Sequence, residues 1–529
     1  MKRPISGFLA IIMLLVSLSA CSKPTQPTDN YNIEDYKNSG GLSEGLTMPD
    51  EPEMEPVVIE PENNQKPSDV QKPDNNTQQE TSVPEDADSD DLPDNRQEGA
   101  VDTTTEQTTQ DLPYKDKVTS SIADTVITKD SYDESKLSLP CVRIDTFDSS
   151  GVVSKTEYKN GTLEINNTVK NFSKNKTAVE IRGRGNSTWV RFDKKAYKLK
   201  FQMKTSLLGM GEAKKWVLLA NAFDETMVRS ALAFDLATKL GLEFTTQYRY
   251  VNLYLNGKYQ GIYILCEQLE EGEARVNIDS SKSGEVDTGY LLESYSESTE
   301  VKDRSFTVPE VNGQHLKMKE RGHQFVIKSP GPKTATDDQV AFIKDYVTKV
   351  NQAIFTGDWD TITKLCDIDS FVNMFIVDQV MLNNDMGYSF YMYKKAGGKL
   401  YLGPAWDYDQ SCGNSSHGGS TYKGWYAGSE HGWYSALIKL PQFKALVKAR
   451  YEQKKADIKA LPENADKIIK SNSYDFAMSN YVYNTFGDKN RWRTMKEIYS
   501  LTTYKMHVEY LKTWLSNRYV WMEDQFKEW

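Results

Sequence analysis

Two aspartates one residue apart, Asp407 and Asp409, stand in the run Gly403-Pro404-Ala405-Trp406-Asp407-Tyr408-Asp409. Hard carboxylate oxygens at this spacing suit Mg²⁺ or Mn²⁺, and the Pro and Trp beside them point to a constrained site. The plainer reading is a pair of solvated acids. A third acid, Asp385, lies 22 residues earlier, in Asn383-Asn384-Asp385-Met386-Gly387-Tyr388-Ser389-Phe390. An acid in a polar turn after an apolar helix can orient a hydroxyl and take its proton. The same residues also suit helix-end turn chemistry. A base followed by a metal-holding pair is the layout that phosphoryl transfer needs. Its transition state asks for positioning and charge neutralisation more than for a covalent group on the protein.

Two basic constellations precede these acids. Arg182-Gly183-Arg184-Gly185-Asn186-Ser187-Thr188-Trp189 runs from a strand into two glycines. Glycines bring backbone N–H groups close to a phosphate, and Arg184 adds a bidentate contact. A plain turn is the competing reading. In Lys194-Lys195-Ala196-Tyr197-Lys198-Leu199-Lys200-Phe201 the apolar and basic residues alternate, which turns Lys198 to the face opposite Tyr197 and Leu199. A lysine on a strand beside a glycine-rich turn is where a nucleotide phosphate is held. A solvated strand face is the alternative.

The elements that must position these groups divide the chain. Strands are expected at Leu139 to Thr146, Ala178 to Gly183, Lys195 to Phe201, Trp216 to Ala220, Gly289 to Ser294 and Gln324 to Ile327. Hairpins are expected around Asn160-Gly161 and Asn256-Gly257. Thr226 to Leu240 has helical periodicity and stops at Gly241. Beyond Asp337 the pattern turns helical, interrupted at Lys399 to Leu402. A strand-rich first half and a helix-rich second half predict two lobes with a cleft between them. Tyr422, Trp425, Tyr426, Trp433 and Tyr434 form either a binding surface or core, and core is the expectation.

The chain has 529 residues and net charge -11. From Ser22 to Leu112 there are 23 Asp and Glu against 5 Lys and Arg, with no Phe or Trp, so this stretch carries -18. It cannot bury enough apolar surface to offset chain entropy and is expected to be a disordered, extended tether. Removing that segment and Lys2 and Arg3 leaves +5 on the rest, a mildly basic body that would suit an anionic ligand but argues only weakly for one; no nucleic-acid partner is expected. Residues 1–21 begin with Lys2 and Arg3, and the apolar run Phe8 to Ala20 is only 13 residues long, too short to span a bilayer comfortably. The run ends Leu18-Ser19-Ala20-Cys21, which resembles a bacterial lipoprotein box. That resemblance implies acylation of Cys21 and an extracytoplasmic protein anchored to the cell membrane. The other four cysteines are too widely spaced to suggest a zinc site and are expected as buried small hydrophobes.

Taken in order, RGRGNSTW, KKAYKLKF, VLLANAFDETMVRSALAFDLA, YLNGKYQGIYILCEQ and GPAWDYDQSCGN resemble the CotH (spore-coat protein H) kinase family, from about Leu139 to about Tyr451. The resemblance implies an α+β, divergent two-lobed protein-kinase-like fold. Its N-lobe spans about residues 135–270 and its C-lobe about 271–529, within a domain at 113–529. It implies transfer of the ATP γ-phosphate to Ser or Thr of a protein substrate, with Mg²⁺ or Mn²⁺. By position, Asp385 takes the base role, Asp407 the main metal-ligand role, and Asp409 a second-ligand or structural role. Arg184, Asn186 and Lys198 fall where phosphates are held. Glu267 ends a hairpin at the lobe connection, near adenine or in an ion pair with a lobe lysine. Asp224 and Arg229 read as structural. Where ordinary kinases place a second metal-holding Asn after the base, only Ser389 offers oxygen here. The rival class is an inactive surface-binding or adhesion module on the same fold. A glycoside-active enzyme would need paired acids flanking a sugar cleft, and nothing in the sequence favours sugar over phosphate.

Overall fold

The computed structural model describes residues 118–529 except 124–127, 129–130, 281–284, 296–303, 317–323, 332, 384–385, 387–388, 417–420, 426–431 and 484–494. Cys21, the acidic segment, Asp385 and Tyr426 therefore lie outside the described residues.

Seven strands make a closed barrel: β1 (Cys141–Thr146), β2 (Lys159–Asn166), β3 (Lys174–Arg184), β4 (Ala196–Leu207), β5 (Met210–Leu219), β6 (Tyr248–Leu255) and β7 (Lys258–Glu267). Their order is β1-β2-β3-β4-β5-β7-β6. Neighbours are antiparallel except where β1 meets β6 in parallel and closes the ring. Inward residues such as Val142, Leu163, Ile181, Leu199, Trp216, Leu253 and Leu265 form the barrel's own core. Strand alternation does this: Tyr197 and Leu199 point in, so Lys198 between them points out.

The β6–β7 turn is the expected Asn256-Gly257, with φ of 49° and 73°, as a two-residue turn of the primed type requires. Asn160-Gly161 does not make a hairpin. Gly161 lies inside β2, opposite Thr146 of β1 and Val179 of β3. A Cβ there would sit 2.4 Å from the Asp145 carbonyl oxygen, so this glycine serves a close strand approach and not a turn.

A second sheet, in the order β12-β11-β8-β10-β9, comprises β8 (Tyr290–Tyr295), β9 (Ser305–Phe306), β10 (Gln324–Ser329), β11 (Ser389–Lys394) and β12 (Leu400–Leu402). One face, with Leu291, Tyr391 and Tyr393, packs against Leu269, Ile278 and Trp406. The other, with Tyr290, Leu292 and Met392, joins the large helical core.

Among the described residues the helices are α1 (Ser187–Arg191), α2 (Arg229–Leu240), α3 (Asp337–Thr356), α4 (Trp359–Leu365), α5 (Ile368–Met381), α6 (Gly432–Leu437), α7 (Pro441–Lys459), α8 (Leu461–Lys470), α9 (Ser473–Tyr483) and α10 (Tyr504–Lys527). α2 ends at Gly241 with φ 89°, as expected of a left-handed cap. α3 starts in a capping box between Thr336 and Gln339. α5 is apolar on nearly every side and lies in the middle of the helical body, against α2 and α7. Tyr422, Trp433 and Tyr434 are buried, as is each of Cys141, Cys266, Cys366 and Cys412, all free thiols. The chain is thus α+β, strand-rich first and helical second. Two features were not expected: the closed barrel, and a second sheet that borrows β11 and β12 from the helical half.

Candidate functional site

The glycine turn is shaped by one indole. The Trp189 ring lies against Gly183, where a Cβ would approach it to 2.3 Å. Gly185 has φ +92°, a conformation that L side chains rarely adopt. Asn186 precedes the short helix α1, and its Oδ1 lies 3.4 Å from the Lys155 Nζ. The loop before β2 buttresses the turn: Gly183 donates to the Ser154 carbonyl at 2.8 Å, and Arg182 donates to the Lys155 carbonyl.

Register places Arg184 and Lys198 on one face of the barrel wall. Lys198 stands opposite Arg182, and Arg184 opposite Ala196. That face looks onto a small cleft lined by Arg184, Gly185 and Thr188 on one side and Trp406, Asp407 and Asp409 on the other. The Arg184 guanidinium lies over the Trp406 ring, 5.6 Å from its centroid, and Trp406 in turn stacks on Phe234 of α2 at 6.3 Å. Arginine over an indole is an attractive arrangement that also fixes the guanidinium plane.

The two acids differ. Asp407 is exposed and has φ 64°, in the left-handed region that Asp tolerates better than most residues. Asp409 is only 9% exposed. Hydrogen bonds to backbone carbonyls hold the loop that carries them. Cys412 N–H donates to the Met381 carbonyl at 2.7 Å. The Asn414 amide donates to the carbonyls of Asp409, at 2.7 Å, and Phe223, at 2.8 Å. Arg229 Nε donates to the Ser411 carbonyl at 3.0 Å. Asp224 caps the start of α2, accepting from the backbone of Thr226 and Arg229 at 2.9 Å each, and pairs with the Arg229 guanidinium. Asp224 and Arg229 are structural, as expected, and they also tie α2 to the acid loop.

The structure thus brings Arg184, Asp407 and Asp409 to one cleft, with Lys198 further along the same wall. Lys198 is buried, and its charge acts on Glu270, together with Lys215, Arg275 and Lys328. Burial raises the Glu270 carboxyl, and those cations pull it back. Glu267, at the end of β7 opposite Trp216, is buried and is not one of the residues lining the cleft. Burial pushes its carboxyl up to about 8, against the Arg275 guanidinium, which pulls it down. Ser389 opens β11, opposite Tyr295 of β8. Asp385 lies outside the described residues.

Among the buried carboxylates that sequence reasoning missed are Glu293 and Asp378. Glu293 of β8 accepts from the Tyr391 hydroxyl at 3.0 Å and from Lys328 at 3.2 Å. A glutamate within the apolar strand run Tyr290-Leu291-Leu292-Glu293 was its available signal. Asp378 sits within α5, where an acid in an apolar helix was the signal.

The donors fit a hard cation. Mg²⁺ binds through one or two carboxylates plus substrate phosphates and keeps several waters, so a complete protein cage is not required. Among the described residues no group of three His, Cys, Asp or Glu could hold a metal ion. Asp407 and Asp409 would hold such an ion, and when bound it would neutralise phosphate charge.

A β-barrel and a helical body flank a cleft, with basic side chains on the barrel wall and paired acids on the facing loop, in an α+β protein. A family model described as CotH kinase protein matches residues 181–522, most of the chain. The chain belongs to the CotH kinase family. The match begins later than the resemblance at Leu139 and runs on through most of α10, so the C-terminal helices belong to the family domain. A search of curated proteins found no match.

Proposed function

We propose that this protein is an atypical protein serine/threonine kinase that transfers the ATP γ-phosphate with Mg²⁺ or Mn²⁺. The observation that carries the reading is the convergence of Arg184, Asp407 and Asp409 on one cleft, in a chain of a kinase-like family. On this reading the barrel plays the part of a kinase N-lobe and the helical body that of a C-lobe. Asp407 and Asp409 hold the cation, and Arg184 and Lys198 neutralise phosphates. Asn186 and the Gly185 turn shape the phosphate bed, Asp385 takes the acceptor hydroxyl proton, and Ser389 offers the oxygen for a second cation. Glu267, which does not line the cleft, acts through the charge balance around Arg275. Residues 1–21 are a lipoprotein signal, Cys21 carries the lipid, and 22–112 tether the domain outside the cell membrane. No described helix is long and apolar enough to cross a membrane.

The test is incubation with γ-labelled ATP and Mn²⁺ or Mg²⁺, with Asp385→Asn and Asp407→Ala in parallel. Label is expected on protein Ser or Thr with the parent alone. Equal label from all three removes the assigned roles. Tight ATP binding with no label in the parent favours the inactive binding module.

A further inference from the structure

We propose that Asp378 is a positioning residue for the two cation-holding acids, acting through Tyr408. The inference rests on the reading of Asp407 and Asp409 given above. Asp378 lies near the end of α5, 4% exposed. One carboxylate oxygen accepts from the Tyr408 hydroxyl at 2.7 Å, and the other accepts from the Tyr434 hydroxyl at 3.0 Å. Both tyrosines are buried, at 0% and 1% exposure.

Tyr408 is the residue between the two acids. Two carboxylates one residue apart can serve one cation only if the residue between them is held. If its side chain is not anchored in the core, the backbone that carries both acids is free to shift. Here the left-handed backbone at Asp407 sends the next side chain into the core, and Asp378 catches its hydroxyl there. Asp407 and Asp409 are left on the cleft side. A carboxylate suits this anchor because a buried charge demands strong partners, and a phenol O–H to a carboxylate is a charge-assisted bond. Tyr434, on α6, fills the second oxygen and keeps Asp378 from turning away. The cation site is therefore fixed from the centre of the helical body and not only from its own loop.

The tyrosines supply the discriminating test, because each donates one buried bond to the same carboxylate and only Tyr408 sits between the acids. Tyr408→Phe, Tyr434→Phe and Asp378→Asn are made in the full chain. Mn²⁺ binding in the presence of ATP is followed by electron paramagnetic resonance, and thermal unfolding is measured without metal. Both tyrosine variants are expected to lose similar stability. The Mn²⁺ dissociation constant is expected to rise about tenfold or more in Tyr408→Phe and Asp378→Asn, on the scale of outer-sphere partners elsewhere, and to stay within about twofold in Tyr434→Phe. Equal Mn²⁺ affinity in parent and Tyr408→Phe overturns the inference while leaving the kinase reading intact, as does equal weakening in both tyrosine variants. A parent that binds no Mn²⁺ with ATP removes the cation reading and this inference together.

Discussion

Arg229 and Ser411 join two parts of the chain that are 182 residues apart: the Arg229 Nε–H meets the Ser411 carbonyl at 3.0 Å in a fully buried setting. The same guanidinium pairs with Asp224, so one side chain both caps a charge at the start of α2 and pins the loop after the cleft acids. α2 cannot shift without pulling on that loop.

Replacing Arg229 with Met leaves the Asp224 carboxylate buried without its cation. Removing one member of a buried pair costs about 3–5 kcal/mol, so the Met variant is expected to unfold at a far lower urea concentration than the parent. Lys keeps the charge but not the forked geometry that reaches Asp224 and Ser411 together. Arg229→Lys is expected to fold, with a smaller loss of stability, yet to transfer label more slowly than that loss explains. Urea midpoints and initial rates of labelling on the same preparations check both.

Glu267 predicts a pH dependence with a definite sign. Its carboxyl titrates at about 8 in the folded protein, above the ordinary glutamate value of 4.5, because burial disfavours the charged form. The folded state thus holds a proton that the unfolded chain has already released between those two values. Stability contributed by this group is present below the unfolded value and is lost as pH rises through the folded one. Glu267→Gln is neutral throughout and removes that slope. Its melting temperature is expected to match the parent near pH 5 and exceed it at pH 9. The scale is about 1.4 kcal/mol for each tenfold change in proton affinity, discounted because the neighbouring Arg275 responds as well. Thermal unfolding of the two proteins across that range measures the difference, and parallel curves would refute it.

Asp407 separates chemistry from folding. Its side chain is exposed and its backbone has φ 64°. Asn tolerates that backbone nearly as well as Asp, whereas Ala in a left-handed conformation costs roughly 1–2 kcal/mol. Asp407→Asn is expected to melt with the parent and to lose Mn²⁺-dependent labelling. Asp407→Ala is expected to lose both labelling and some stability. Calorimetry beside the labelling assay distinguishes them, and full labelling by the Asn variant would remove Asp407 from the cation site.

Features with a local cause were legible in the sequence. The Asn256-Gly257 turn needs two positive φ angles, and Gly241 ends α2 in the same region. Lys198 could be turned outward because strand residues alternate. Asn160-Gly161 carried the same turn signal and misled, since a glycine inside a strand can serve close packing as well as a bend. The parallel seam between β1 and β6 has no local signature, because Cys141 meets Asn252 from more than a hundred residues away. Asp378 and Glu293 were passed over for a related reason. Each acid owes its place to hydroxyls supplied from 30 to 98 residues along the chain, by Tyr408, Tyr434 and Tyr391.

The glycine turn offers the most direct probe of the proposed phosphate bed. Gly183 and Gly185 are both needed, for different reasons. At Gly183 an added methyl would meet the Trp189 ring at 2.3 Å, so Gly183→Ala must push the indole away. The indole belongs to α1, and its backbone carbonyl also accepts from Lys195 Nζ at 2.5 Å. Moving it therefore disturbs the turn and the start of β4 together. At Gly185 there is room for a methyl, with nothing nearer than 3.6 Å, but φ +92° makes it strained. That substitution is expected to cost more than about 1 kcal/mol and to relax by flipping the turn. Arg184 lies between the two, over Trp406, and either change moves it relative to Asp407. Both variants are expected to raise the KM for ATP severalfold, with a smaller effect on kcat. Arg184→Lys, which keeps the charge but loses the planar fork, should follow the same pattern without the loss of stability. An unchanged KM for ATP in all three would mean that nucleotide phosphates do not rest on this turn.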